Sequence, residues 1–247
     1  MENNSERDGK SAVLKVEDLS TGYGTLQVLW NVSIEVHEEE SVCIIGSNGV
    51  GKSTLMKTLI GALPPWSGRV FHRGEDITAA NNAERVSRRI ALVPEGRQLF
   101  FALSVEDNLL LGSYARSDKK KIGEDLDFVY SFFPVLYNYR RKLAGTLSGG
   151  EQQMCAVGRA LLADPTLLLV DELSLGLAPV IVDKLVELLI SIKKERDLSL
   201  LLVEQDVETA LEITDRGYVV ETGRIALEGS ADDLSDNAHV KSAYLGI

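Results

Sequence analysis

Residues 46–54, GSNGVGKST, constrain what this chain can fold into more than any other stretch. They fit the spacing GxxxxGK(S/T), follow the apolar run SVCII, and open a segment with Leu55, Leu59 and Leu63 on one helical face. A strand, a glycine-rich turn and a helix start in that order place backbone N–H groups and the positive end of the helix around phosphate oxygens. Gly46, Ser47, Asn48, Gly49, Val50 and Gly51 form the cradle. Lys52 neutralises the terminal phosphates, the Ser53 hydroxyl is a candidate magnesium ligand, and Thr54 follows it into the helix.

The rest of the pattern agrees with a phosphate-loop, RecA-like α/β fold. SVCIIG, RIALVPE, TLLLVDE and LSLLLVEQ are continuous apolar runs, as expected of strands covered on both faces in a mostly parallel sheet. They end at Gly46, at Glu95, at Asp171 with Glu172, and at Glu204 with Gln205. Ligands of open parallel sheets bind beyond the carboxyl ends of strands, so these four exits are expected to converge on one site. NVSIEV alternates Val32, Ile34 and Val36 with polar residues, the pattern of an antiparallel edge in an N-terminal β subdomain. Residues 97–163 show helical periodicity without a strand, and are expected to form a helical insertion. Helices are expected over 53–63, closed by Pro64 and Pro65, and around Ile181, Leu185, Leu188 and Ile192. YVVETGRIALEG predicts two strands about a turn, followed by a helix capped by Ser230.

Composition narrows the partners. The formal net charge of −11 opposes a nucleic-acid role, and the basic stretches SDKKKIGED and YNYRRKLAG are short and flanked by acidic or apolar residues. No apolar run approaches the ~18 residues of a spanning helix, and residues 1–11 read as a polar disordered tail rather than a signal peptide. The remainder, 12–247, reads as one unit. Cys43 and Cys155 lack metal or disulfide spacing and read as small buried hydrophobes.

Two further stretches carry chemistry. Asp171 ends an apolar strand where it can hold magnesium through water, and Glu172 is then placed to polarise the attacking water. In GTLSGGEQQMCAVGRALL, Ser148, Gly149, Gly150 and Glu151 form a Ser-x-x-Glu capping box. Taken alone, this second glycine-flanked helix start reads either as an ordinary capped helix or as a second anion site. Its position, between a phosphate loop and LLLVDE, resembles the signature sequence of the ABC-type ATPases. The resemblance covers residues 12 to about 245.

That resemblance implies a head-to-tail pair of ATPase subunits, identical or different. In such a pair Ser148 to Glu151 of one subunit would cap the γ-phosphate of ATP held by the other. It implies that Tyr23 stacks on adenine, that Glu95 contacts magnesium and a membrane partner, and that Gln205 takes the switch position usually held by histidine. Within the family, VPEGRQLF, DELSLGLAP, LLVEQDVETAL and DRGYVVETGRI are most similar to the second, shorter ATPase subunit of branched-chain amino acid importers. The implied partners are transmembrane permease subunits and, indirectly, an external solute-binding protein, with the chain on the cytoplasmic face of the membrane. Leu99, Phe100 and Phe101 are the candidate permease-docking residues. Leu173, where the family commonly has proline, is a departure. A cofactor-assembly ATPase and an ATP-gated regulatory module are the competing readings.

Overall fold

The computed structural model describes residues 11–245, so all but the last residue of the expected tail lies outside the described residues. β1 (Ala12–Tyr23) and β2 (Leu26–His37) form a long antiparallel pair, with Val32, Ile34 and Val36 turned into the core. β3 (Ser41–Ile45) leads through the glycine loop into α1 (Lys52–Leu59). β4 (Ser67–His72) returns to pair with β1, and β5 (Glu75–Asp76) extends that layer to the order β2-β1-β4-β5. α2 (Asn82–Ser87) precedes β6 (Ile90–Val93).

Four helices then separate β6 from the next strand: α3 (Val105–Leu111), α4 (Lys119–Phe132), α5 (Pro134–Asn138) and α6 (Gly149–Leu161). β7 (Leu167–Asp171), α7 (Pro179–Glu195) and β8 (Ser199–Glu204) complete the parallel part of the second sheet. α8 (Val207–Ile213) leads to β9 (Arg216–Glu221) and β10 (Arg224–Ser230), followed by α9 (Ala231–Asp236) and α10 (Ala238–Val240). The second sheet has the order β10-β9-β3-β8-β7-β6, antiparallel only between β9 and β10.

The continuous apolar strands are explained by two cores. Successive side chains of a strand point to opposite faces, so a strand covered on both sides must be apolar at every position. Leu167, Leu169, Leu201 and Val203 pack with α1 and the antiparallel layer, whereas Leu168, Val170, Leu200 and Leu202 pack with α3, α6 and α7. Each such leucine or valine contributes about 1.5–3 kcal/mol on burial. A third, smaller cluster joins Cys43 and Ile45 to Val207, Ala210 and Leu234. Both cysteines are free and buried, and burial pushes their thiols up to about 11 at Cys43 and about 12 at Cys155. They act as small hydrophobes, as their spacing suggests.

Element ends differ from expectation where local turns intervene. α1 stops at Leu59, not Leu63, because Gly61 takes a φ of 78° and turns the chain before the two prolines are reached. α6 ends at Leu161, and Asp164, with a φ of 51°, makes the turn into β7. β4, β5 and α2 have no strong period and escape a reading by pattern.

α3 crosses α6 so closely that a Cβ at Gly112 would stand 1.8 Å from the carbonyl oxygen of Arg159. Backbone cannot yield as a flexible side chain can. Gly112→Ala is expected to push the two helices apart and cost about 1–3 kcal/mol, the range for overpacking. Thermal melting of the variant should show a drop of several degrees.

Candidate functional site

β3, β6, β7 and β8 run parallel, so their carboxyl ends open on one side of the sheet. Beyond them lies a cavity of about 450 Å³ lined by Val28, Asn48, Gly49, Gly51, Lys52, Ser53, Thr54, Glu95, Glu172, Leu175 and Gln205. Residues from all four exits therefore surround one space. Val28 and Leu175 complete it, and an apolar residue in a strand and one in a loop carry no sequence signal for such a role.

The glycine loop reaches α1 through Gly51, whose φ of 110° turns the helix start toward the cavity. Lys52 is buried, and its Nζ donates to the carbonyls of Gly46 at 2.7 Å and Ser47 at 3.1 Å. Burial lowers its pKa, and the carboxylates of Glu172, Asp171, Glu204 and Glu95 oppose that shift. Its Nζ stands 3.9 Å from Glu172 Oε1. A lysine beside carboxylates at the bottom of a cavity rich in donors is the chemistry that a polyphosphate requires.

Asp171 and Ser53 face each other, with Ser53 Oγ 3.5 Å from Asp171 Oδ1. Burial, with added repulsion from Glu95 and Glu172, pushes the Asp171 carboxyl up to about 6. No group of three acidic, histidine or cysteine side chains forms a metal cage among the described residues. Two oxygen ligands beside crowded carboxylates fit a Mg²⁺ that takes its remaining ligands from phosphates and water.

Glu172 has a φ of 54°, unusual for a residue with a Cβ. Its N–H donates to the Val203 carbonyl at 2.9 Å, and Gln205 Nε2 donates to its Oε1 at 2.6 Å. The carboxylate can accept a proton from a water within the cavity, and the glutamine amide aims it. Leu173 is fully buried in the helix-side core, which gives this departure a packing reason.

Tyr23 ends β1 and is 45% exposed, with Lys57 Nζ 5.9 Å from its ring centre. An exposed ring at the β1 end leaves a face for a planar base. Ser148 caps α6 as expected: its hydroxyl accepts from the Glu151 N–H, and its own N–H donates to Glu151 Oε2 at 2.8 Å. None of residues 148–151 lines the cavity. Gly150 has a packing role besides any in phosphate access, since a Cβ there would meet Ile181 Cγ2 at 2.9 Å.

The loop after Glu95 is shaped by groups that the sequence does not flag. Gly96, Arg97 and Gln98 all have positive φ, and Arg159 of α6 donates to the carbonyls of Arg97 at 2.9 Å and Gln98 at 2.7 Å. Buried Asn108 bonds both the N–H and the carbonyl of Phe100. Leu99 turns into the core, while Phe100 and Phe101 are 56% and 57% exposed, so the expected trio of docking residues is reduced to the two phenylalanines.

The ABC transporter family profile matches residues 29–174. A high-affinity branched-chain amino acid transport ATP-binding protein of Pseudomonas aeruginosa, BraG, is 43% identical over 95% of this chain and 100% of its own length. A probable branched-chain amino acid transport ATP-binding protein of Archaeoglobus fulgidus, LivF, is 34% identical over 95% and 99%. LptB of Haemophilus influenzae, a lipopolysaccharide export ATP-binding protein, is 30% identical over 95% and 98%. Among solved structures, the ADP conformation of MJ1267, an ATP-binding cassette of an ABC transporter, superposes with a TM-score of 0.84 at 27% identity, covering 96% of this chain and 100% of that one.

The raised pKa of Asp171 gives a pH test. The folded state binds this proton more tightly than the unfolded chain, so stability is full below the unfolded value and declines as pH rises toward about 6. Asp171→Asn should remove that penalty. Measured without nucleotide or metal, the variant is expected to gain about 1–3 kcal/mol at pH 8, several degrees in thermal midpoint, and less at pH 5.

Proposed function

Since the chain belongs to the ABC transporter family of ATP-binding, ATP-hydrolysing subunits, we propose that it powers an importer of branched-chain or related hydrophobic amino acids. The observation that carries the site is the convergence of the glycine loop, Glu95, Glu172 and Gln205 on one cavity. The names of the two branched-chain relatives support the solute class. Export is the competing reading, raised by the 30% identity to LptB and outweighed by the 43% identity to BraG.

In this reading residues 12–247 act as one ATPase unit with 97–163 as its helical subdomain. The loop N–H groups from Gly46 to Thr54 and Lys52 hold the phosphates of ATP, and Tyr23 stacks on the base. Ser53 and Asp171, with Glu95 beside them, would hold Mg²⁺, which shields the β- and γ-phosphate charge when bound. Glu172 takes the proton as water oxygen attacks the γ-phosphorus, and the bond to the β-phosphate oxygen breaks to leave ADP and inorganic phosphate. Gln205 holds Glu172 with one N–H and keeps a second N–H and a carbonyl for the water. It cannot itself shuttle protons, having no titration near neutral pH.

Ser148 to Glu151 lie outside the chain's own cavity, which supports their use as a cap on nucleotide held by a second ATPase subunit. Exposed Phe100 and Phe101 are the proposed contact with a transmembrane permease, an apolar pair held outward by Asn108. No helix among the described residues is long and apolar enough to cross a membrane. In this reading permease subunits supply the passage, with the chain at the cytoplasmic face, and an external solute-binding protein delivers to them.

Glu172→Gln, assayed in the complex with its membrane partners, should keep ATP binding within about twofold while turnover falls by two to four orders of magnitude, the size of a general-base effect. Uptake of leucine, isoleucine and valine should fail with it. Near-parental hydrolysis would remove Glu172 from the role of base, and unchanged uptake of all three would remove the import reading.

Ser148→Arg separates the two cradles. Equilibrium titration of the isolated chain should give unaltered ATP affinity, because the affected helix start does not line its cavity, while hydrolysis by the assembled pair is lost. Equal losses in binding and turnover would mean that the signature helix serves its own chain's nucleotide.

A further inference from the structure

Glu204 lines no part of the nucleotide cavity, yet it is a carboxylate only 1% exposed at the end of β8. Among the described residues no cation stands within ion-pair distance of it. Its partners are in the loop after β7: Oε1 accepts the Ser174 N–H at 3.0 Å, and Oε2 accepts the Ser174 hydroxyl at 2.9 Å. Burial raises its pKa, and the N–H groups of Ser174, Leu173 and Gln205 oppose that shift. Burying a carboxylate is costly where an apolar residue would pack without penalty, so its hydrogen bonds are what distinguishes it from one more strand residue.

Those bonds act on Glu172. Its left-handed φ of 54° is strained for a residue with a Cβ and persists only where neighbouring contacts over-determine it. Three successive residues of the β8 end hold it. The Val203 carbonyl takes the Glu172 N–H, Gln205 holds its carboxylate, and Glu204 grips the chain two residues further on at Ser174. The same grip fixes where the loop departs to place Leu175 at the cavity wall.

We propose that Glu204 is a positioning residue for hydrolysis: through Ser174 it clamps the strained backbone at Glu172 and the loop that follows. The inference rests on the reading of Glu172 as the base. Glu204 lies outside the cavity lining and acts through the loop it holds at Ser174.

The test compares Glu204→Ala, Glu204→Gln and Ser174→Ala in the full chain with its membrane subunits, measuring kcat and KM for ATP hydrolysis and ATP affinity separately. Glu204→Ala is expected to lower kcat about tenfold or more, the worth of the lost charged hydrogen bonds, with ATP affinity within about twofold. Glu204→Gln should recover kcat to within about threefold of the parent, since its carbonyl still accepts the Ser174 N–H and its amide can donate to the hydroxyl. Ser174→Ala removes one bond without exposing the carboxylate and should lower kcat about threefold, so the idea stays testable if Glu204→Ala does not fold. Parental kcat in both Glu204→Ala and Ser174→Ala would overturn it. So would equal losses of kcat and ATP affinity that glutamine fails to restore, which mark a merely structural residue. Glu172→Gln run alongside tells the failures apart: if that variant hydrolyses normally, the assignment of the base has failed, and if it is inactive while Glu204→Ala is fully active, the clamp alone has failed.

Discussion

A single buried ammonium group holds this site together. Lys52 Nζ is bound to two carbonyls of its own loop, stands 3.9 Å from Glu172, and lies within electrostatic reach of Asp171, Glu204 and Glu95. Without that positive charge, four acidic side chains at adjacent strand exits would repel one another across a poorly solvated space. Even with it, burial and then the neighbouring carboxylates push Asp171 up to about 6. The cavity thus has a deficit of positive charge on the carboxylate side and an excess of donors on the loop side, and a phosphate chain carrying a divalent cation matches both.

The lysine can occupy that place only because the sheet is buried on both faces. β3 and β8 are adjacent and in parallel register, so the glycine loop and Glu204 leave the sheet side by side. β7 pairs on the other side of β8 and delivers Asp171 and Glu172 next to them. Packing in the two large cores therefore sets the spacing of the charged groups, and the polar site inherits its rigidity from leucines and valines. Two of the positive-φ segments adjoin the site: Glu172, which lines the cavity, and Gly96 to Gln98, which follow the lining residue Glu95. Each is held by hydrogen bonds from a neighbouring element, Glu172 from β8 and the 96–98 loop from Arg159.

Much of this was legible in the residues themselves. GSNGVGKST has a spacing that few other structures need, and the four apolar runs announce strands covered on both faces, because alternation is lost only when both sides are dry. The capping box at Ser148 and Glu151 is local chemistry within one turn of helix, and it formed as read. Pattern misled where a single backbone turn overrode it: α1 stops at Gly61 although Leu63 continues the apolar stripe. It also treated Leu99, Phe100 and Phe101 alike, whereas Asn108 fixes the loop so that the first is buried and the other two face outward.

By itself the sequence determined the phosphate loop, the identity of the parallel strands, and the residue types available at their exits, since all of these depend on near neighbours along the chain. Tertiary structure decided which exits meet and how. Only the strand order brings Ser174 to Glu204, thirty residues apart, and Arg159 to the carbonyls of Arg97 and Gln98, sixty-two and sixty-one residues away. A glutamate at a strand end looks the same in sequence whether it faces water, metal or a main-chain N–H. Its role comes from the dielectric around it and the donors within reach, and those are supplied by segments that meet only when the two cores close.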